Sequence, residues 1–141
     1  DLKRDSRAGK RHGSFRETLA ARGAPLADEE IHPGASSVEA GRFALERLLA
    51  RSPGLDAVYF SNDDMALGGY FHCLAHAIAI PSRLAIFGYN GLDLGRAMPQ
   101  PLSTIQTPRV ATGQVAAQLV VENASSQVVD LGFELIEGAT A

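Results

Sequence analysis

The sequence reads as an α/β fold on a doubly wound, mainly parallel sheet, and three observations predict it. Short apolar runs at 56–60 and 84–89 are separated by segments whose apolar residues recur at helical spacing, the pattern of buried strands alternating with covering helices. Two of those runs end abruptly on polar clusters, Ser61-Asn62-Asp63-Asp64 and Asn90-Gly91. Strand ends of this kind line up along one edge of such a sheet, where ligands bind. The 141 residues carry 45% apolar and 21% charged side chains, enough for one soluble domain with a core. There are no internal repeats and no low-complexity stretches.

Each element follows from local chemistry. Residues 1–23 read as a helix: Asp5 or Ser6 can cap it, Ala8, Phe15 and Leu19 share a side, and Gly23 can end it in the left-handed conformation. A short extended piece is expected near 26–31. Ser36 to Glu39 has the spacing of a capping box, opening a helix through Arg51 with Val38, Leu45, Leu48 and Leu49 on one face. Ser52-Pro53-Gly54 stops it. Asp56 to Phe60 reads as a buried parallel strand. A helix from about Asp63 to Ala77 follows, with Leu67, Tyr70, Phe71 and Leu74 as its apolar side and Pro81 beyond it. Leu84 to Tyr89 is a second buried strand, and 90–102 a loop. Ser103 to Gln106 is short and extended. Thr107 is placed to cap a helix starting at Pro108, a residue with no amide to lose there. Ala111, Val115 and Leu119 mark that helix's buried stripe, and Val128 to Ile136 is extended with a bend at Gly132.

Composition removes several function classes. The formal net charge is −3, which is not the footprint of a nucleic-acid binder. Lys3, Arg4, Arg7, Lys10, Arg11, Arg16 and Arg22 do cluster in the first 23 residues. They read either as a solvated helix face or as a basic stripe, one without the aromatic interleaving of single-strand binders. A single cysteine, Cys73, forms no internal disulfide framework and fits a reducing compartment. No run approaches the roughly 20 apolar residues of a membrane span, and no signal peptide is evident. The chain starts on Asp and on a helix, whereas a doubly wound unit begins with its central strand; a fragment is expected.

Five residues are candidates for a binding site. Asn62 and Asp63, with Asp64, stand at a helix start, where such residues cap amides and complement the helix dipole, worth about 1 kcal/mol. The alternative is that one caps while Asn62 points into the crevice, its amide both donor and acceptor for a polyhydroxylated ligand. Asn90 reads as half of an Asn-Gly turn or as a second amide on the same edge. Arg11 is either a surface residue or a planar fork suited to a carboxylate, and Arg109 is a weaker second candidate of that kind. His72 and His76 are one helical turn apart, but Cys73 does not share their face and no third ligand is evident, so no metal is expected. No GxGxxG and no GxSxG occurs, so no cofactor and no enzyme activity is expected. Glu134 and Glu137 read as polar positions near a strand end.

Four segments in fixed order resemble the sugar-responsive repressors of the lactose-repressor/galactose-repressor (LacI/GalR) family. Arg11-His12-Gly13-Ser14-Phe15 is similar to that family's Arg-x-x-Gly-Phe, with Ser14 where Gly is usual. Asp56 to Gly68 resembles its second effector-loop segment, Pro81 to Gly91 its segment ending GY/F-D, and Pro101 to Pro108 its PPLTTI-x-x-P crossover. Phe87 to Gly95, Thr107-Pro108-Arg109 and the tail Val129 to Leu135 resemble the gluconate-utilisation repressors within it. The resemblance implies a periplasmic-binding-protein-like (type I) fold. Residues 1–103 would be the C-terminal lobe of an effector-binding domain without its first strand. Residues 104–128 would be a crossover segment belonging to the N-terminal lobe, and 129–141 the return strand and tail. It implies a cytoplasmic homodimer that takes a sugar or sugar-acid effector at Arg11, Asn62, Asp63, Asn90 and Arg109. Operator DNA would be met only through a helix-turn-helix absent from this sequence, and no membrane is involved. The sugar-binding branch usually has Asp where Asn90 stands. A carboxylate facing an anionic ligand would repel it by several kcal/mol at roughly 4 Å and an effective dielectric near 20. Asn90 therefore suits a sugar acid such as gluconate. A periplasmic sugar-binding protein of an ABC transporter, which shares the fold, is the alternative, and an α/β enzyme the third.

Overall fold

A computed structural model of the chain describes residues 5–124 and 126–141; Lys3 and Arg4 of the basic cluster lie outside them. The order is α1 (Ser6–Ala21), α2 (Val38–Arg51), β1 (Ala57–Tyr59), α3 (Asp63–Ala75), β2 (Ala85–Asn90), α4 (Asp93–Arg96), β3 (Ser103–Gln106), α5 (Arg109–Val121) and β4 (Glu134–Ile136). The four strands form one sheet in the order β1-β2-β3-β4. The first three run parallel, with Tyr59 opposite Phe87 and Asn90 opposite Gln106. β4 closes the other side antiparallel, Ile105 facing Leu135. The chain is thus α/β with a mainly parallel sheet, as the alternating pattern predicts.

The core lies between β2 and the α2/α3 pair. Leu45, Ala66, Tyr70, Cys73, Leu84, Ile86 and Leu102 are buried in it. α2 and α3 approach closely because glycines face the crossing: a Cβ on Gly41 would strike the Met65 backbone, and one on Gly68 the Val38 carbonyl. Burial pushes the Cys73 thiol up to about 11, so it packs as an inert apolar group. Side chains alternate across a strand, so Phe87 and Tyr89 face away from this core. There they meet α1: Phe15 packs on Tyr59 at 4.8 Å between ring centroids, and Tyr59 on Phe87 at 6.2 Å. Helices therefore cover both faces of the sheet.

α1 covers its face loosely and has no buried residue. A cavity of about 1100 Å³ is lined by α1, β1, the sheet face and residues of the 25–32 segment. Residues 26–31 are near β1 but join no ladder among the described residues. Side chains hold the segment instead. Asp28 meets Ser52 at 2.6 Å and Arg51 at 3.1 Å, Glu30 meets Arg47 and Arg51 at 2.7 Å each, and Glu29 meets His12 of α1 at 2.6 Å.

Several local expectations are corrected. The cap of α2 is Ser37, whose hydroxyl accepts from the Ala40 amide. The Ser36–Glu39 box does not form, because the helix starts one residue later. β1 is only half-buried, being an edge strand beside the cavity. Phe71 and Leu74 do not belong to the buried side of α3; they are 46% and 55% exposed while Met65, Ala66 and Cys73 take the inner positions. α5 begins at Arg109 with Pro108 at its cap and no side-chain cap from Thr107. Ala111, Val115 and Leu119 are its half-buried positions, so the spacing was informative, but nothing in the described chain covers them fully. The loop at 90–102 contains α4. Asp5 caps α1, and Gly23 and Gly132 take positive φ, as expected.

Candidate functional site

Parallel strands bring their C-terminal ends to one edge, and the polar clusters lie there. Asn62 follows β1 and caps α3, its Oδ1 accepting from the Met65 amide at 3.0 Å. The side-chain nitrogen of the same amide makes no hydrogen bond among the described residues and remains available as a donor. Capping and pointing into the crevice are therefore compatible, since the amide has two ends. Asn90 ends β2, beside Gln106 at the end of β3. Its side chain makes no hydrogen bond among the described residues, and its backbone φ is 124°. Asn90 is the last residue of the strand rather than part of a turn, and it does not line the cavity beside α1.

Arg11 leaves α1 and lays its guanidinium over the Tyr89 ring, 4.2 Å from the centroid, a favourable cation–π arrangement. Its Nε is buried and has no hydrogen-bond partner. A buried guanidinium donor without an acceptor is costly unless a ligand or water completes it. Tyr59 stands beside it; burial pushes the phenol's pKa up, while the Arg11 charge acts in the opposite direction. Arg11, Tyr59, Asn62, Tyr89 and Thr107 share the wall of the large cavity.

The remaining candidates sit apart from that wall. Asp63 is 3% exposed. Its Oδ1 accepts from the Thr104 hydroxyl at 2.7 Å, and its Oδ2 from the Leu92 amide at 2.7 Å. A Cβ on Gly88 would collide with its Oδ1. Both oxygens are therefore spent inside the fold. Arg109 donates from Nη1 to the Asn90 carbonyl at 3.3 Å and from Nη2 to the Gly91 carbonyl at 3.4 Å. Arg96 donates to the Gln106 side chain on the same edge.

Sequence reasoning missed Tyr59 and Tyr89, whose outward alternation on strands ending at the polar clusters was the available signal. It also missed Thr104, for which a buried hydroxyl in a strand gave none. The helical histidine pair stacks ring on ring at 4.2 Å, and His76 Nδ1 is taken by the His72 carbonyl at 2.9 Å. Among the described residues, no three His, Cys, Asp or Glu side chains are grouped to hold a metal ion, and no helix is long and apolar enough to cross a membrane.

Comparison with known proteins gives four consistent likenesses. The periplasmic binding protein-like domain family matches residues 1–140. The chain is 37% identical over 138 residues to the HTH-type transcriptional regulator GntR of Pseudomonas aeruginosa, covering 94% of this chain and 40% of that protein. It is 34% identical over 110 residues to the HTH-type transcriptional regulator IdnR of Escherichia coli K12, covering 74% and 33% respectively. Its fold superposes on the crystal structure of transcription regulator GntR from Chromobacterium violaceum with a TM-score of 0.90 at 35% identity, over 96% of this chain and 52% of that one. The chain spans two fifths or less of these curated relatives' length. They are transcription regulators rather than transport proteins or enzymes.

Proposed function

The chain belongs to the periplasmic binding protein-like domain family, and from that premise we propose that it is the effector-binding portion of a LacI-type transcriptional repressor. Its ligand is a sugar acid of the gluconate type. The observation that carries this reading is the Arg11 Nε, buried at the cavity wall with no acceptor. A carboxylate is the acceptor a guanidinium fork fits best. Asn62 and Asn90 supply neutral amides for the hydroxyls, and no carboxylate with a free oxygen opposes the anion at those two positions. Arg109, on the first turn of α5, adds positive charge beside Asn90. Binding would shift the balance between lobe arrangements, and through it the affinity of the whole repressor for operator DNA.

The homodimer contact in this reading is the α2/α3 face. Phe43 of α2 and Phe71 and Leu74 of α3 are exposed, apolar side chains that suit a partner better than water.

Isothermal titration with D-gluconate and D-glucose tests the ligand. Gluconate is expected to bind more tightly, and Arg11→Gln to weaken it by about tenfold or more, the usual worth of a charge-assisted bond. Tighter binding of glucose would refute the sugar-acid reading.

A further inference from the structure

Asn90 holds a backbone conformation that its residue type does not favour. Its φ of 124° lies well past the left-handed well near about 57° that asparagine visits. Gly91 follows at 67°. Such outliers persist only where the surroundings over-determine them. Here they are over-determined from two sides. Asp63, from the start of α3, reaches under the strand ends to hold β3 through the Thr104 hydroxyl and the segment after Asn90 through the Leu92 amide. Arg109, from the start of α5, holds the carbonyls of Asn90 and Gly91. Both clamps hold the chain at Asn90 and the two residues that follow it.

We propose that Asp63 and Thr104 form a positioning latch that keeps Asn90 in its strained backbone, so that its side-chain amide is fixed for the ligand, with Arg109 as a supporting clamp. Asp63 is then a positioning residue, not a ligand contact. The inference rests on the reading of Asn90 as a ligand contact. Its chemistry is specific. The short bonds to Asp63, the Thr104 one buried and the Leu92 one part-buried, hold firmly; the longer bonds from Arg109 are free to exchange when an anion arrives. The latch thus sets the geometry, and the clamp is the part a ligand can draw away.

The test separates strain from side-chain chemistry by comparing Asn90→Gly with Asn90→Ala, which both remove the amide. Only glycine relieves the strain at positive φ. With the latch intact, Asn90→Gly is expected to melt about 4 °C or more above Asn90→Ala. In a Thr104→Val background the strand end relaxes and the gap falls to about 1 °C or less. Thr104→Ser, which keeps the hydroxyl, should restore it. Should Thr104→Val not fold, Asp63→Asn serves in its place, and the gap narrows. An equal gap in all backgrounds, or no gap with the latch intact, overturns the proposal. Titration with D-gluconate is read separately. Thr104→Val should weaken it about tenfold with Asn90 present and about twofold or less in Asn90→Gly. A chain that shows the gap but binds no gluconate keeps the latch and loses the sugar-acid reading; one that binds gluconate with equal gaps loses the latch.

Discussion

A single atom decides what Asn90 can face. Asn and Asp have the same shape, so exchanging them adds the charge and removes the amide's donors at constant size. Asn90→Asp is expected to weaken D-gluconate binding by tenfold or more, because two negative charges at roughly 4 Å repel by several kcal/mol at an effective dielectric near 20. Binding of D-glucose, a neutral ligand, should hold or improve in the same titration, and equal losses for both ligands would sink the charge argument. The sequence made part of this site legible. Asn62 and Asn90 stand where apolar runs end, and that is a position one can count to. Arg11 lies in the first turns of its helix, so its reach toward the same edge could be anticipated. The fate of Asp63 could not, because its partners Thr104 and Leu92 are 41 and 29 residues away. Capping chemistry makes Asn62 and Asp63 look alike in sequence; only the strand beneath them separates a residue that caps from one that is consumed.

At the scale of elements, helices α2 and α3 carry the fold's stability, and the glycines at their crossing are its weakest points of tolerance. Gly68→Ala should destabilise the chain by about 1–3 kcal/mol in urea unfolding, the usual cost of overpacking, since its Cβ has the Val38 carbonyl in its way. A surface change such as Gly113→Ala, with nothing near its Cβ, should not destabilise. The segment at 28–30 brings a pH dependence. Hydrogen bonds from Ser52 and Arg51 hold the Asp28 carboxyl down to about 2 from an ordinary 3.8, and bonds from Arg51 and Arg47 lower that of Glu30. A depressed carboxyl stabilises the fold above its unfolded value and loses that contribution as pH falls through its folded one. Urea midpoints should therefore drop between about pH 4 and pH 2, and Asp28→Asn should flatten the drop. Periodicity revealed α2, α3 and α5 and the three parallel strands because burial enforces it. It could not say which side of α3 turns inward: Leu67 and Tyr70 are buried while Phe71 and Leu74 are out, and an element apolar on nearly every side carries no directional pattern. The capping box was misplaced by one residue for a similar reason, since Ser36 and Ser37 are chemically equal candidates.

For the whole molecule, large apolar side chains stand exposed on separate surfaces: Phe43, Phe71 and Leu74 over α2 and α3, Val110, Val120 and Val121 on α5, and Val128 and Phe133 in the tail. Surfaces of that kind favour association over solvation. Sedimentation velocity is expected to show self-association that Phe71→Arg reduces; an unchanged profile would move the homodimer contact off α3. Burial alone leaves α1 and α5 poorly supported, because neither has a buried residue. Strand order has a consequence for how the chain acquires its shape. Since β1, β2, β3 and β4 lie side by side in the order in which they occur, each strand docks against the one before it and closes only a modest loop, which keeps the entropic barrier low. Assembly would proceed from α2 through β3 as a growing edge, with α1 and α5 joining after the rate-limiting step. Substitutions in those two helices would then speed unfolding and leave the refolding rate nearly unchanged.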